Sequence, residues 1–128
     1  MQRNKLIVII NKPIERVFEF TVNPNNTHLW ISSITEETSD KYPPKIGTEY
    51  KNRGKDANRD IYKVTEFKNN ELFALSSLEG NYFVRYTYRK TNDNQTEMEY
   101  YEWVKRGELE NPFTKDISRN LKTILEYK

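Results

Sequence analysis

Val8–Trp30, VIINKPIERVFEFTVNPNNTHLW, is the stretch whose reading decides the rest of the chain. It begins inside an apolar run, Leu6–Ile10, that reads as a first strand, and the unbroken run suggests burial on both faces. Asn11-Lys12-Pro13 interrupts it. Asn11 suits a helix N-cap, and Pro13 sits near the first helical position, where its fixed φ helps and its missing N–H costs nothing. Ile14, Val17, Phe18 and Val22 then fall on one helical stripe, with Glu15, Arg16 and Glu19 on the other side. Asn23-Pro24 repeats the cap-then-proline signal and opens a second short helix, closed by Leu29 and Trp30.

Outward from this stretch the chain reads as strands until one last helix. Strand signals run over Ile31–Thr38, from Gly47 to about Arg53, and over Asp60–Phe67, Leu72–Leu78, Tyr82–Arg89 and Thr96–Lys105. Between them lie Ser39–Lys45 with Pro43-Pro44, a polar hairpin tip at Gly54–Asn58, and turns at Lys68-Asn69-Asn70, Glu79-Gly80-Asn81 and Thr91–Gln95. In the last two strands Tyr82, Val84, Tyr86 and Tyr88 oppose Phe83, Arg85, Thr87 and Arg89. Met98, Tyr100, Glu102 and Val104 likewise oppose Glu97, Glu99, Tyr101 and Trp103. Asn111-Pro112 reads as the start of the final helix, about Phe113 to Tyr127, with the stripe Phe113, Ile117, Leu121, Ile124 and Leu125. Lys115, Arg119 and Lys122 fall on its wet side. The expected class is α+β: a seven-stranded curved antiparallel sheet around a C-terminal helix, with two short helices after the first strand.

At 128 residues the chain suits one domain, 1–128, able to bury roughly two thirds of its unfolded surface. A charged fraction of 31% with net charge +2 gives a mixed-sign surface and does not suggest a nucleic-acid binder, whose cations would gather on one face. No cysteine is present, which excludes disulfides, thiolate catalysis and Cys-ligated metal, and is compatible with a cytoplasmic location. The N-terminal apolar run is too short for a signal-peptide core or a membrane span. Glycosylation sequons at Asn25-Asn26-Thr27 and Asn94-Gln95-Thr96 carry little weight without a secretory signal.

The Asn11–Phe20 run NKPIERVFEF with the later Asn23-Pro24 and Leu29-Trp30, the strand start Ile46-Gly47-Thr48-Glu49-Tyr50, and Val64-Thr65-Glu66-Phe67 before Leu72-Phe73-Ala74 resemble the START-like, polyketide-cyclase/dehydrase superfamily (SRPBCC). The Thr96-Glu97-Met98 strand and closing helix fit it too, so the resemblance covers nearly the whole chain. It implies a helix-grip fold, a sheet gripping the last helix with the two short helices closing one end. Asn92-Asp93-Asn94 replaces the glycines usual before the last strand, and the final helix is shorter than many in the family, which implies a small or partly filled cavity.

No residue cluster declares a reaction. His28 is the sole histidine and reads as a surface or end-of-helix residue, so histidine triads and multi-histidine metal sites are excluded or weakened. Four scattered glycines make no phosphate loop, HExxH, DxDxDG and GxSxG are absent, and no cofactor or metal is implied. Nine tyrosines are the oddity, with Tyr82, Tyr86, Tyr88, Tyr100 and Tyr101 crowded onto two adjacent strands. They either cover a sheet as good strand formers, or Tyr86, Tyr88 and Tyr100 line a concave face and orient a polar group of an apolar ligand. Glu102 is the one weak catalytic candidate: on an inward face it would serve as acid, base or anchor for a ligand head, unless a structural partner occupies it. Arg85 and Arg89 fall on the outer face, flanking Glu97 and Glu99. Lys51, Arg53, Lys55 and Arg59 surround one hairpin with Asp56 and Asp60 interleaved, a solvated tip rather than a phosphate site, although cations there would steer an anionic ligand if the loop gates a pocket mouth.

The sequence therefore points to a protein that binds an apolar or amphipathic small molecule (lipid-, aromatic- or polyketide-like) between sheet and last helix. The expected lining is Phe18, Tyr50, Tyr62, Val64, Tyr86, Tyr100, Glu102, Phe113, Ile117 and Leu121. Two alternatives remain. One is a cyclase, dehydratase or hydrolase built on Glu102 with Tyr86 or Tyr100. The other is a protein-interaction module like family members that stimulate a chaperone ATPase, which needs a filled core. The sequence does not decide whether the chain is a monomer or a dimer.

Overall fold

The computed structural model describes residues 2–54, 59–110 and 112–127, and of Arg59 only the backbone. Strand β1 (Gln2–Ile10) leads into helix α1 (Ile14–Val22), a 3-10 turn (Pro24–Asn26) and the one-turn helix α2 (Thr27–Trp30). Six strands follow: β2 (Ile34–Ser39), β3 (Glu49–Gly54), β4 (Arg59–Lys68), β5 (Leu72–Ser77), β6 (Tyr82–Asn92) and β7 (Gln95–Val104). Helix α3 (Lys115–Glu126) ends the chain. The strands form one curled antiparallel sheet in the order β1-β7-β6-β5-β4-β3-β2, so β1 and β2 are its two edges and α1, the 3-10 turn and α2 connect one edge to the other.

The inner face collects the apolar side chains. Along β7 every second residue from Thr96 to Val104 is buried, and β6 buries Val84, Tyr86 and Tyr88 in the same rhythm. These registers pair Tyr86 with Tyr100, Val84 with Glu102 and Tyr88 with Met98, as strict alternation requires. Helix α1 buries its expected stripe, and Phe18 meets Phe67 and Tyr88 edge-on at 5.6 and 4.9 Å. Helix α3 buries Leu121 and Leu125 and half-buries Ile117 and Ile124. Its Lys122 Nζ donates to the Ile9 carbonyl at 2.6 Å, and its Asn120 amide donates to the carbonyls of Leu29 and Trp30 at 3.4 and 3.3 Å. The helix is thus tied to β1 on one side and α2 on the other.

Several local expectations are corrected. Strand β1 starts at Gln2 and is buried on one face only: Ile7 and Ile9 are 54% and 38% exposed. An edge strand of an antiparallel sheet has one core face, and α3 covers only that one. Asn11 does not cap α1. Pro13 holds the N-cap position without a side-chain bond, while Asn11 Oδ1 accepts from Gln95 Nε2 at 2.9 Å and its N–H donates to Glu126 at 2.7 Å. Asn23 does cap the next turn, accepting from Asn25 N–H at 3.0 Å. Strand β2 begins three residues later than expected, because the Ile31 N–H still closes α2 on the Thr27 carbonyl. Gly47 is a turn residue at φ 96°, donating to Val64, and β3 starts at Glu49. Helix α3 begins at Lys115, capped by Thr114 Oγ1 accepting from Ile117 N–H at 3.3 Å. Pro112 and Phe113 precede it outside any helix, with Phe113 buried. Lys122 is not on a wet face but against β1. Residues 55–58 of the expected hairpin tip, and Asn111, lie outside the described residues.

Candidate functional site

A cavity of about 580 Å³ lies between the concave face, α2, the segment before α3 and the start of α3. Of the expected lining, Tyr50, Tyr62, Tyr86 and Tyr100 reach it from β3, β4, β6 and β7, and Glu102, Phe113 and Ile117 also face it. Phe18, Val64 and Leu121 do not line it. Phe18 is spent on Phe67 and Tyr88, while Val64 and Leu121 are 1% and 0% exposed in the packed core. Phe73, Tyr82, Asn52, Thr27 and Glu37 line it as well. Tyr82 was legible from its alternation with Tyr86. Glu37 was not: β2 is mostly polar and carries a register shift between Ile34 and Glu36, so no periodicity fixes its face.

The walls are aromatic. Tyr86 and Tyr100 lie with ring centroids 5.2 Å apart, Tyr62 and Tyr82 meet edge-on at 6.0 Å, and Tyr100 stacks on Phe113 at 3.7 Å. Behind them Tyr50 OH donates to the Val22 carbonyl at 2.6 Å, and Tyr88 OH meets Thr21 Oγ1 at 2.5 Å in the core. Tyr86, 7% exposed, makes no side-chain hydrogen bond among the described residues. Burial raises the pKa of the Tyr50, Tyr62, Tyr82, Tyr86 and Tyr100 hydroxyls above the usual phenol value, so all stay protonated. The Trp30 indole N–H is buried without a partner among the described residues, and its ring sits edge-on to Tyr86 and Phe113.

Two carboxylates reach the interior in different settings. Glu102, 1% exposed, is fully engaged. Its Oε2 accepts from Asn4 Nδ2 at 2.9 Å and from the Phe113 N–H at 2.7 Å, and its Oε1 accepts from Tyr82 OH at 2.7 Å. Asn4 also donates to the Phe113 carbonyl at 2.8 Å, so one carboxylate ties β1, β6 and β7 to the approach of α3. Glu37 is half-buried and held only by neutral donors, Thr27 Oγ1 at 2.6 Å and Asn52 Nδ2 at 3.5 Å. Desolvation pushes its pKa up from 4.5 to about 7, with the two hydrogen bonds pulling the other way.

The convex face differs in character. Phe83 stacks on Trp103 at 5.0 Å, Tyr101 stacks on Trp103 at 5.1 Å, and Arg85 and Lys105 sit over the Tyr101 and Phe83 rings. Arg3, Lys5, Arg85, Glu99 and Tyr101 line a shallow depression there. Arg89 pairs with Glu97 at 2.8 Å, whereas Glu99 pairs with Lys5 rather than with Arg85. His28 is exposed on α2. Arg53 faces Glu36 at 3.9 Å, while Lys55 and the Arg59 side chain lie outside the described residues. Among the described residues no group of His, Asp and Glu is placed to hold a metal ion, and no helix is long and apolar enough to cross a membrane.

No family model and no curated protein matches the sequence. Solved structures do match. XoxI from Bacillus cereus superposes with a TM-score of 0.76 at 13% identity, covering 98% of this chain and 96% of that one. Ara h 8.0201 superposes with a TM-score of 0.68 at 11% identity, covering 99% of each chain. The chain has the helix-grip fold. Aha1 from Colwellia psychrerythraea, a dimer in its solution structure, matches this helix-grip chain with a TM-score of 0.65 at 13% identity, over 86% of this chain and 81% of that one. At such identities the likeness carries the fold, and the chemistry rests on the residues above.

Proposed function

We propose that this single helix-grip domain binds an amphipathic small molecule in the cavity between its sheet and α3. The observation that carries the reading is the cavity itself: about 580 Å³, within the usual range for small-molecule sites, walled by aromatic rings with a few inward polar groups. An apolar body would lie against Tyr62, Phe73, Tyr100 and Phe113, and a polar end would reach Tyr86 OH or Glu37. Glu102 speaks against an acid–base enzyme, because three donors already occupy both of its oxygens. A hollow interior also counts against the interaction module, which needs a filled core.

Native mass spectrometry of freshly purified protein tests this. The expected spectrum contains a species heavier than the chain by the mass of one small molecule, lost when the protein is unfolded. A spectrum of the bare chain alone, together with no uptake of any apolar probe, would remove the proposal.

A further inference from the structure

The net charge of +2 conceals a separation of charge. Among the described residues, the cavity lining includes Glu37, Asp60, Glu79, Glu102, Glu108 and Glu110, and no Lys, Arg or His. Asp60, Glu79, Glu108 and Glu110 are exposed and lie around the opening, while Glu37 and Glu102 lie deeper. The cations that offset them face outward, with Arg3, Lys5 and Arg85 grouped on the convex side. Lys55 and the Arg59 side chain lie outside the described residues.

Two groups inside this acidic space lack the partner their chemistry calls for. Glu37 is in none of the described ion pairs and is held by two neutral donors alone. A half-buried carboxylate in that setting is stabilised by an adjacent cation and penalised by a second anion. Tyr86 is more than nine-tenths buried, lines the same space and has its hydroxyl unpaired among the described residues. Around both stand tyrosine and phenylalanine rings, whose faces attract an ammonium group. A ligand with an anionic head would meet repulsion at the rim and again at Glu37, and nothing described in the lining would offset its charge.

Resting on the small-molecule reading above, the geometry points to an organic cation as the occupant: an apolar body carrying an ammonium head, with Glu37 as counter-ion and the tyrosine faces around it. The rim carboxylates draw the cation towards the opening by long-range attraction. Glu102, already saturated by Asn4, Tyr82 and Phe113, contributes field rather than contact.

Three probes with one ten-carbon tail separate head from tail: decyltrimethylammonium, decan-1-ol and decanoate, each titrated below its micelle concentration and followed calorimetrically. Decyltrimethylammonium is expected to bind about tenfold tighter than decanol, in keeping with a partly buried cation beside one carboxylate and aromatic faces, and decanoate weakest. Glu37→Gln keeps the size, and with its carbonyl oxygen accepting from Asn52 its NH2 can donate to Thr27 Oγ1. It should erase most of the preference for the cation, and a near-UV circular dichroism spectrum like the parent's reports that the variant is folded. Equal or tighter binding of decanol or decanoate, or a Glu37→Gln variant that still prefers the cation about tenfold, would overturn the charge assignment and leave the small-molecule reading standing. Failure of all three probes, with a native spectrum showing the bare chain, would remove both.

Discussion

Glu37 and Glu102 face the same interior from strands near opposite ends of the sheet, and their neighbours give them opposite parts. Glu102 spends both oxygens on three donors. Glu37 has two neutral donors and a pKa raised to about 7 by burial. Thr27 faces it from α2, whose titratable side chain His28 is exposed. Tyr50 and Asn52 approach from β3, Asp60 and Tyr62 from β4 and Tyr86 from β6, with no described cation among them. A carboxyl whose folded pKa lies above its unfolded value of 4.5 keeps its proton in the folded state while the unfolded chain loses it. Its contribution to stability is therefore present below pH 4.5, falls as pH rises from there to about 7, and is level above. Urea midpoints of the parent minus those of Glu37→Gln should fall across that window. A difference that is flat or rises would show that burial does not raise the Glu37 pKa. Glu102 was placed inward by alternation alone, because β7 keeps strict period two. Glu37 escaped that logic because the register shift in β2 and its polar neighbours left no pattern to follow.

At the scale of elements, one carboxylate fastens α3 to the sheet. Asn4 on β1, Tyr82 on β6 and the Phe113 N–H before α3 all donate to Glu102 on β7, so the helix is anchored at its N-terminal approach as well as through Lys122 and Asn120. Glu102→Ala strands a buried backbone N–H and a side-chain amide, and should cost about 3 kcal/mol in urea unfolding. Glu102→Gln can accept from Phe113 and Asn4 through its carbonyl oxygen and donate to Tyr82, and should cost about 1 kcal/mol. Similar small losses in both would mean that the anchor does not hold α3. The existence and order of all ten strands and helices read from the sequence match those seen, because periodicity and Asn-Pro, Gly and Pro punctuation are local signals. Their ends are less legible. Asn111-Pro112 resembles a helix start, but Phe113 must first enter the core beside Tyr100 and Trp30, so the helix waits for Thr114.

At the scale of the molecule, curvature and charge work together. A curled sheet with α3 tied to β1 and α2 closes on the core around Val17, Leu121 and Leu125 and leaves open the space near β3, β4 and Ile117. Of the expected lining, Phe18, Val64 and Leu121 sit in the packing, because periodicity identifies the inner face without telling which part of it is filled. The separation of the acidic lining from the outward cations was invisible in composition, where 21 Lys and Arg nearly cancel 19 Asp and Glu. The central proposal is that this space admits a guest. Titrating decan-1-ol into protein with 13C-labelled methyl groups tests it most directly. A hollow interior predicts that the Ile31, Ile34, Leu75 and Ile117 methyls shift together while Val17 and Leu125 stay fixed. Shifts confined to exposed Ile7 and Ile9 on the outer edge, or no shifts at all, would contradict it.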